Sequence, residues 1–154
     1  MDGANKNFVV QIFGMLGVIG SLIFVGLELQ QTQRVAIAGQ QQARSALVVD
    51  IISNLTVTGI DFQSVYLEEE LDYELSRNEV GLRNVIHTVW GLYENDFYQF
   101  REGLMDQATW ESKIAGLKGL YNQCSMRSIY NTRSATFSKD FVEIIESFPD
   151  LCDK

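Results

Sequence analysis

The 154-residue sequence predicts an all-α protein in which one N-terminal transmembrane helix continues into a long helix and a small antiparallel helical bundle domain follows. Three observations predict it. The stretch Phe8 to Leu29, FVVQIFGMLGVIGSLIFVGLEL, is apolar almost throughout; its first 20 residues, at about 1.5 Å each, span roughly 30 Å, the thickness of a bilayer's hydrocarbon core. The single proline, Pro149, lies beyond every apolar repeat, so no interior position forbids helix. From residue 76 onward, apolar positions return at steps of three and four behind recognisable caps.

The boundaries follow from these signals: a short tail over 1–7, the transmembrane helix over 8–29, a Gln-rich helical extension over 30–58 and a helical soluble domain over 59–154. A cleaved signal peptide needs a basic n-region, a shorter apolar core and a small-residue cleavage site; MDGANKN and LELQQTQR supply none of these. Gly14, Gly17 and Ser21 fall on one stripe, and Gly17 with Ser21 forms a small-xxx-small pair that lets helices approach closely. Glycine is also simply common in membrane helices, so the stripe admits a bland reading as well. Continued at the same spacing, the seam passes Phe24 and reaches Glu28 and Gln31. Glu28 reads either as an interfacial anchor or as an acid facing a bundle interior. Gln11 either bonds across a helix pair or faces the headgroups.

Six of the thirteen residues from Gln30 to Gln42 are glutamine, a fair helix former, and only Gly39 argues for a break. Leu47, Val48, Ile51, Ile52 and Leu55 then return at helical spacing, so the extension rejoins a core. A turn is expected at Gly59, with Asp61 capping a short helix over DFQSVYLEEELDYEL whose Phe62, Val65 and Tyr66 face inward. The acidic run Glu68, Glu69, Glu70, Asp72 and Glu74 reads as a solvated face rather than a cation site.

Ser76 and Glu79 form a capping box, with Leu75 and Val80 as its staple. Leu82, Ile86, Val89, Tyr93, Phe97, Phe100 and Leu104 follow as the stripe expected to bury. Beside it runs Arg83, His87, Trp90, Glu94, Tyr98 and Arg101; His87 and Glu94, two turns apart, are the nearest approach to an acid–base pair, but no nucleophile accompanies them, so a surface network is the expected reading. Gly103 ends this helix. Asp106 caps the next, which buries Trp110, Ile114, Leu117 and Tyr121. A helix over 125–135 presents Met126, Ile129 and Tyr130 with Arg127 and Arg133 outside, and Ser138 caps a last helix carrying Phe141, Ile144, Ile145 and Phe148.

The formal charge of −8 is uneven: residues 61–106 hold 11 acidic and 3 basic side chains, residues 107–140 hold 2 and 5. No basic stripe with interleaved aromatics offsets the acidic surface, which excludes a nucleic-acid partner and argues against clinging to an anionic leaflet. Cys124 and Cys152 do not by themselves establish a disulfide, and two free, partly buried thiols are expected. Lys and Arg counts on the two sides of the anchor tie; the absence of a cysteine framework leans the domain towards the cytoplasm.

VGLELQQTQ directly after a Gly-rich anchor, then YENDFYQFREGLMDQATW, then a final helix containing Phe137-Ser138, resembles a group of short bacterial membrane-anchored proteins without assigned function. The resemblance covers most of the chain and implies an anchor plus a helical domain in a bacterial inner membrane. It supplies no catalytic residue, cofactor or metal ligand, and none is expected. The sequence thus favours an oligomeric scaffold or accessory subunit of an inner-membrane complex, with the lipid bilayer, further copies of itself and a larger complex as partners. The packing seam would be Gly14, Gly17, Ser21, Glu28 and Gln31. The alternative is a homo-oligomeric channel lined by Gln11, Glu28 and the Gln-rich collar.

Overall fold

The computed structural model describes residues 2–67 and 74–152, and the side chains of these from residue 7 onward. The elements are α1 (Asp2–Thr58), α2 (Phe62–Tyr66), α3 (Arg77–Arg101), α4 (Gln107–Tyr121), a 3₁₀ turn (Cys124–Met126), α5 (Arg127–Ser134) and α6 (Lys139–Glu146). No strand occurs among the described residues, and the protein is all-α. Two compact units divide it, Met1–Ile37 and Ala38–Lys154.

The first unit is the amino-terminal part of α1. It is long and apolar enough to cross a membrane, and none of that apolar stretch is buried within the chain. Helix α1 passes through Gly39 without a break.

The second unit begins with the remainder of α1. That helix stops at Gly59, whose φ of 78° is open to glycine without strain. The amide of Ile60 returns to the Leu55 carbonyl at 2.9 Å and that of Gly59 to Thr56 at 3.1 Å, the Schellman pattern that satisfies the last carbonyls. Gly103 repeats the device after α3, with φ of 74°, Leu104 N–H to Gln99 at 2.9 Å and Gly103 N–H to Phe100 at 2.9 Å.

Helix starts are equally explicit. The Ser76 hydroxyl accepts from the Glu79 amide while the Glu79 carboxylate accepts from the Ser76 amide, closing the capping box. Asp61 caps α2 through the Ser64 amide, and Asp106 caps α4 through the Thr109 amide. Ser138 stands at the N-cap of α6 without a side-chain bond.

Helix α3 is the hub, packing against α2, α4 and α5, while α6 covers α4. Trp90, Phe97, Trp110, Leu117, Tyr121, Ile129, Tyr130, Phe137, Phe141 and Ile145 are buried in one core. Phe97 stacks on Phe141 at 5.3 Å and Phe100 on Trp110 at 5.1 Å, adding ring–ring attraction to area burial. The caps, the α4 face and the α6 face lie where the sequence puts them, with Ile114, Ile144 and Phe148 half-buried.

The face of α3 differs from the expected stripe. Ile86 and Phe97 are buried, but Leu82 and Leu104 are exposed, and Trp90, expected on the polar flank, is 1% exposed. Arg83 and His87 of that flank are also buried. For Arg83 and its neighbour Asn84 the reason is a polar network that polarity patterning treats as surface. Arg83 Nε donates to Asp61 at 2.8 Å and its Nη2 to Gln63 Oε1 at 2.9 Å. Asn84 accepts from the Phe62 amide at 2.8 Å and donates to Thr56 Oγ1 at 2.9 Å and to the Ile60 carbonyl at 3.0 Å. These paired groups go inside because each finds a partner there.

Other departures are local. Helix α2 is only five residues, and Val65 and Tyr66 are exposed while Phe62 is buried. Ile52 is buried, but Leu47, Val48 and Ile51 remain exposed. Arg133 is buried rather than outward. Four members of the acidic run, Glu68, Glu69, Glu70 and Asp72, lie outside the described residues; Glu74 is exposed.

Cys124 and Cys152 form a disulfide, correcting the expectation of free thiols. Their Cα atoms lie 5.3 Å apart, within the span a disulfide bridges. Pairing is arranged by neighbours: Arg127 grips the Asp150 carboxylate with two guanidinium nitrogens, and the Leu151 amide donates to Asn122 Oδ1 at 2.9 Å. The Arg127 guanidinium also lies 3.7 Å over the Tyr121 ring. Hydrogen bonds from Arg127, then from the Cys152 amide, hold the Asp150 carboxyl down to about 2.

Candidate functional site

The residues expected to form the packing seam lie in the first unit, and all are exposed. A side chain added at Gly14 or Gly17 would meet nothing within 4 Å. The Ser21 hydroxyl donates to the Gly17 carbonyl at 2.9 Å, so its proton is already used within the helix. Gly14 shares a shallow apolar groove with Gln11, Met15, Val18 and Ile19. Glu28 and Gln31 share a shallow groove, lined mostly by polar residues, with Thr32 and Val35.

A separate site lies wholly in the second unit. A cavity of about 260 Å³ is bounded by Gln41, Arg44, Ser45, Val48 and Val49 of α1, by His87, Thr88, Gly91 and Glu94 of α3, and by Arg133 of α5. Two turns of α3 place His87 and Glu94 on one side, and Gly91 between them leaves the room that a side chain would occupy.

His87 is fully buried, with its ring edge-on to Phe62 at 5.0 Å, and neither ring nitrogen has a hydrogen-bond partner among the described residues. Burial, then the nearby Arg133 and Arg83 charges, push its pKa down to about 3 against the opposing pull of Asp61. The imidazole is therefore neutral near pH 7 and too weak a base for efficient proton transfer there. It offers one donor and one acceptor nitrogen for recognition.

Arg133 donates from Nη1 to the His87 carbonyl at 3.2 Å and lies over the Phe137 ring at 5.3 Å. Its Nε is buried without a partner. Burial lowers the guanidinium's pKa, opposed by Glu94; burial likewise raises the Glu94 carboxyl, opposed by Arg133. Buried polar groups are nearly always paired, so the His87 nitrogens and Arg133 Nε, like Asn95 Oδ1 elsewhere on α3, are exceptions that call for an explanation.

Sequence reading names His87 and Glu94 but assigns them to a surface network, and it places Arg133 outside. Gly91 is the signal that could have found the cavity: a glycine in mid-helix weakens the helix by about 1 kcal/mol and so marks a packing or functional need. Among the described residues no cluster of three or more His, Cys, Asp or Glu side chains is arranged to hold a metal ion.

Comparison of the chain with protein-family models, with curated proteins and with solved structures gives no match.

Proposed function

We propose that this is a single-pass membrane-anchored helical protein that assembles with copies of itself and serves as a scaffold or accessory subunit of a membrane complex, without catalysis of its own. One observation carries the reading: the apolar part of α1 is helical, and none of it is buried among the described residues. A lone helix of that composition costs too much in water and must be covered by lipid or by other helices. The open faces over Gly14 and Gly17 support close helix approach, and the internally used Ser21 hydroxyl leaves the seam dry. The bacterial inner membrane is the proposed location, on the resemblance described above.

The disulfide favours the opposite orientation to the one expected from free thiols. Disulfides persist in oxidising compartments and are rare in the cytosol, so we place the helical domain on the outer, oxidising face. The test of assembly is the native mass of the detergent-solubilised particle: an oligomer is expected, and a monomer would remove the scaffold reading. The test of orientation is thiol labelling in intact cells before and after reduction. Labelling only after reduction is expected; thiols reactive from the start would return the domain to the cytoplasm.

A further inference from the structure

We propose that the cavity between α1, α3 and α5 binds a small organic carboxylate, its head taken by the guanidinium groups of Arg133 and Arg44 and its apolar body received by Val48, Val49 and the open face of Gly91. The inference is independent of how the chain assembles or which way it faces, because every residue involved belongs to the second unit.

Several observations converge on that ligand. Two guanidinium groups face one carboxyl: Arg44 and Arg133 line the space with Glu94, and Arg133 Nε is buried with no partner among the described residues. An oxygen anion is the group that takes such donors, and a guanidinium fork matches a carboxylate. His87, fully buried with both ring nitrogens unpartnered, supplies one further donor and can fix the second carboxylate oxygen. Val48 and Val49 form an apolar wall, so a bare inorganic anion would leave half the lining uncovered. Glu94 is the one acid lining the cavity, and Arg133 and Arg44 line it beside that acid.

Gly91 makes the idea testable. A Cβ added there meets only Arg133 Nη2, at 3.7 Å, an ordinary contact. The Cβ of Gly91→Leu is therefore accommodated, and the rest of its side chain extends into the space beside the cavity. The experiment is calorimetric titration of the full chain in lipid nanodiscs with hexanoate, with hexylamine and hexanol as probes of the same length, and with empty nanodiscs as blank. Saturable hexanoate binding is expected, with hexylamine and hexanol at least about tenfold weaker. Gly91→Leu should weaken hexanoate binding by about tenfold or more, and Arg44→Gln by several-fold, since an exposed guanidinium contributes less. Should Gly91→Leu fail to fold, the exposed Arg44→Gln substitution decides. No saturable binding, equal binding of all three probes, or hexanoate binding unchanged by these substitutions would overturn the proposal.

Discussion

The stretch up to Ile37 and the unit that begins at Ala38 are both helical, and both carry large apolar side chains, yet they cover those side chains by different means. In the first, Phe8, Phe13, Leu22, Ile23 and Phe24 are each at least 60% exposed, uncovered by any described residue. In the second, Trp90, Leu117, Ile129, Phe141 and Ile145 are at most 1% exposed, and a buried ion pair, a disulfide and three capped helix starts accompany them. Helix by itself is cheap in either setting. What separates the two is whether tertiary partners are encoded in the same sequence, and that difference says which substitutions should damage folding and which should damage association only.

The sharpest break should come at Arg83. Its 2.8 Å pair with Asp61 is buried on both sides, and removing one partner of such a pair costs roughly 3 to 5 kcal/mol because the other charge is left stranded. Arg83→Met should lower the thermal midpoint of the domain steeply while membrane attachment persists; loss of both together would dissolve the contrast between the two units. Trp90→Ala should cost a similar amount, roughly 3 to 5 kcal/mol, through the cavity it leaves. Removal of the disulfide by Cys152→Ser should cost roughly 3 to 4 kcal/mol for the 28-residue separation it spans, read by denaturant unfolding with and without reductant.

His87 sharpens the comparison through pH. Its folded pKa of about 3 lies below its ordinary 6.5, so below pH 6.5 the unfolded chain takes up a proton that the folded one refuses. Stability therefore falls as pH drops from 6.5 towards 3, at up to about 1.4 kcal/mol per unit from this group. Between pH 6.5 and 5 the original protein should lose roughly 2 kcal/mol more than His87→Gln does, by unfolding curves in detergent. Equal losses would mean that the imidazole is not buried and neutral.

In the first unit the same logic expects no effect on domain folding at all. Gly17→Leu should lower the native mass of the particle, because a bulky side chain prevents close backbone approach, and should leave the domain's thermal midpoint unchanged. A constant mass would show that the seam runs elsewhere. The smallest expected effect belongs to Glu28→Gln: reconstituted vesicles should pass no ions with either side chain, and a cation current that falls on substitution would favour a channel over a scaffold.

The helical class and most helix boundaries were legible because they rest on local rules. Ser76 and Glu79, Asp61, Asp106, Gly59 and Gly103 act within four residues of themselves, and each sits where short-range chemistry places it. The cavity and its surroundings were not legible, because their partners are remote in sequence. Arg83 reaches Gln63 across 20 residues, Arg133 reaches the His87 carbonyl across 46, and nothing local marks either arginine as buried. Polarity patterning assumes that charge faces water, and it fails wherever distant elements supply a partner. The inward face of α3 was misplaced for that reason, and the two cysteines were left unpaired for a similar one, since only the fold brings Cys124 and Cys152 together.

That last bond has a consequence for when the molecule is finished. Cys152 follows α6, so the crosslink cannot close until every helix of the domain has been made. A chain that has passed residue 124 but not yet reached 152 keeps Cys124 as a lone thiol, whereas one that has reached Cys152 has no free cysteine among its described residues. The clasp therefore closes only behind α6, locking the last helix of the described domain to the turn that precedes α5.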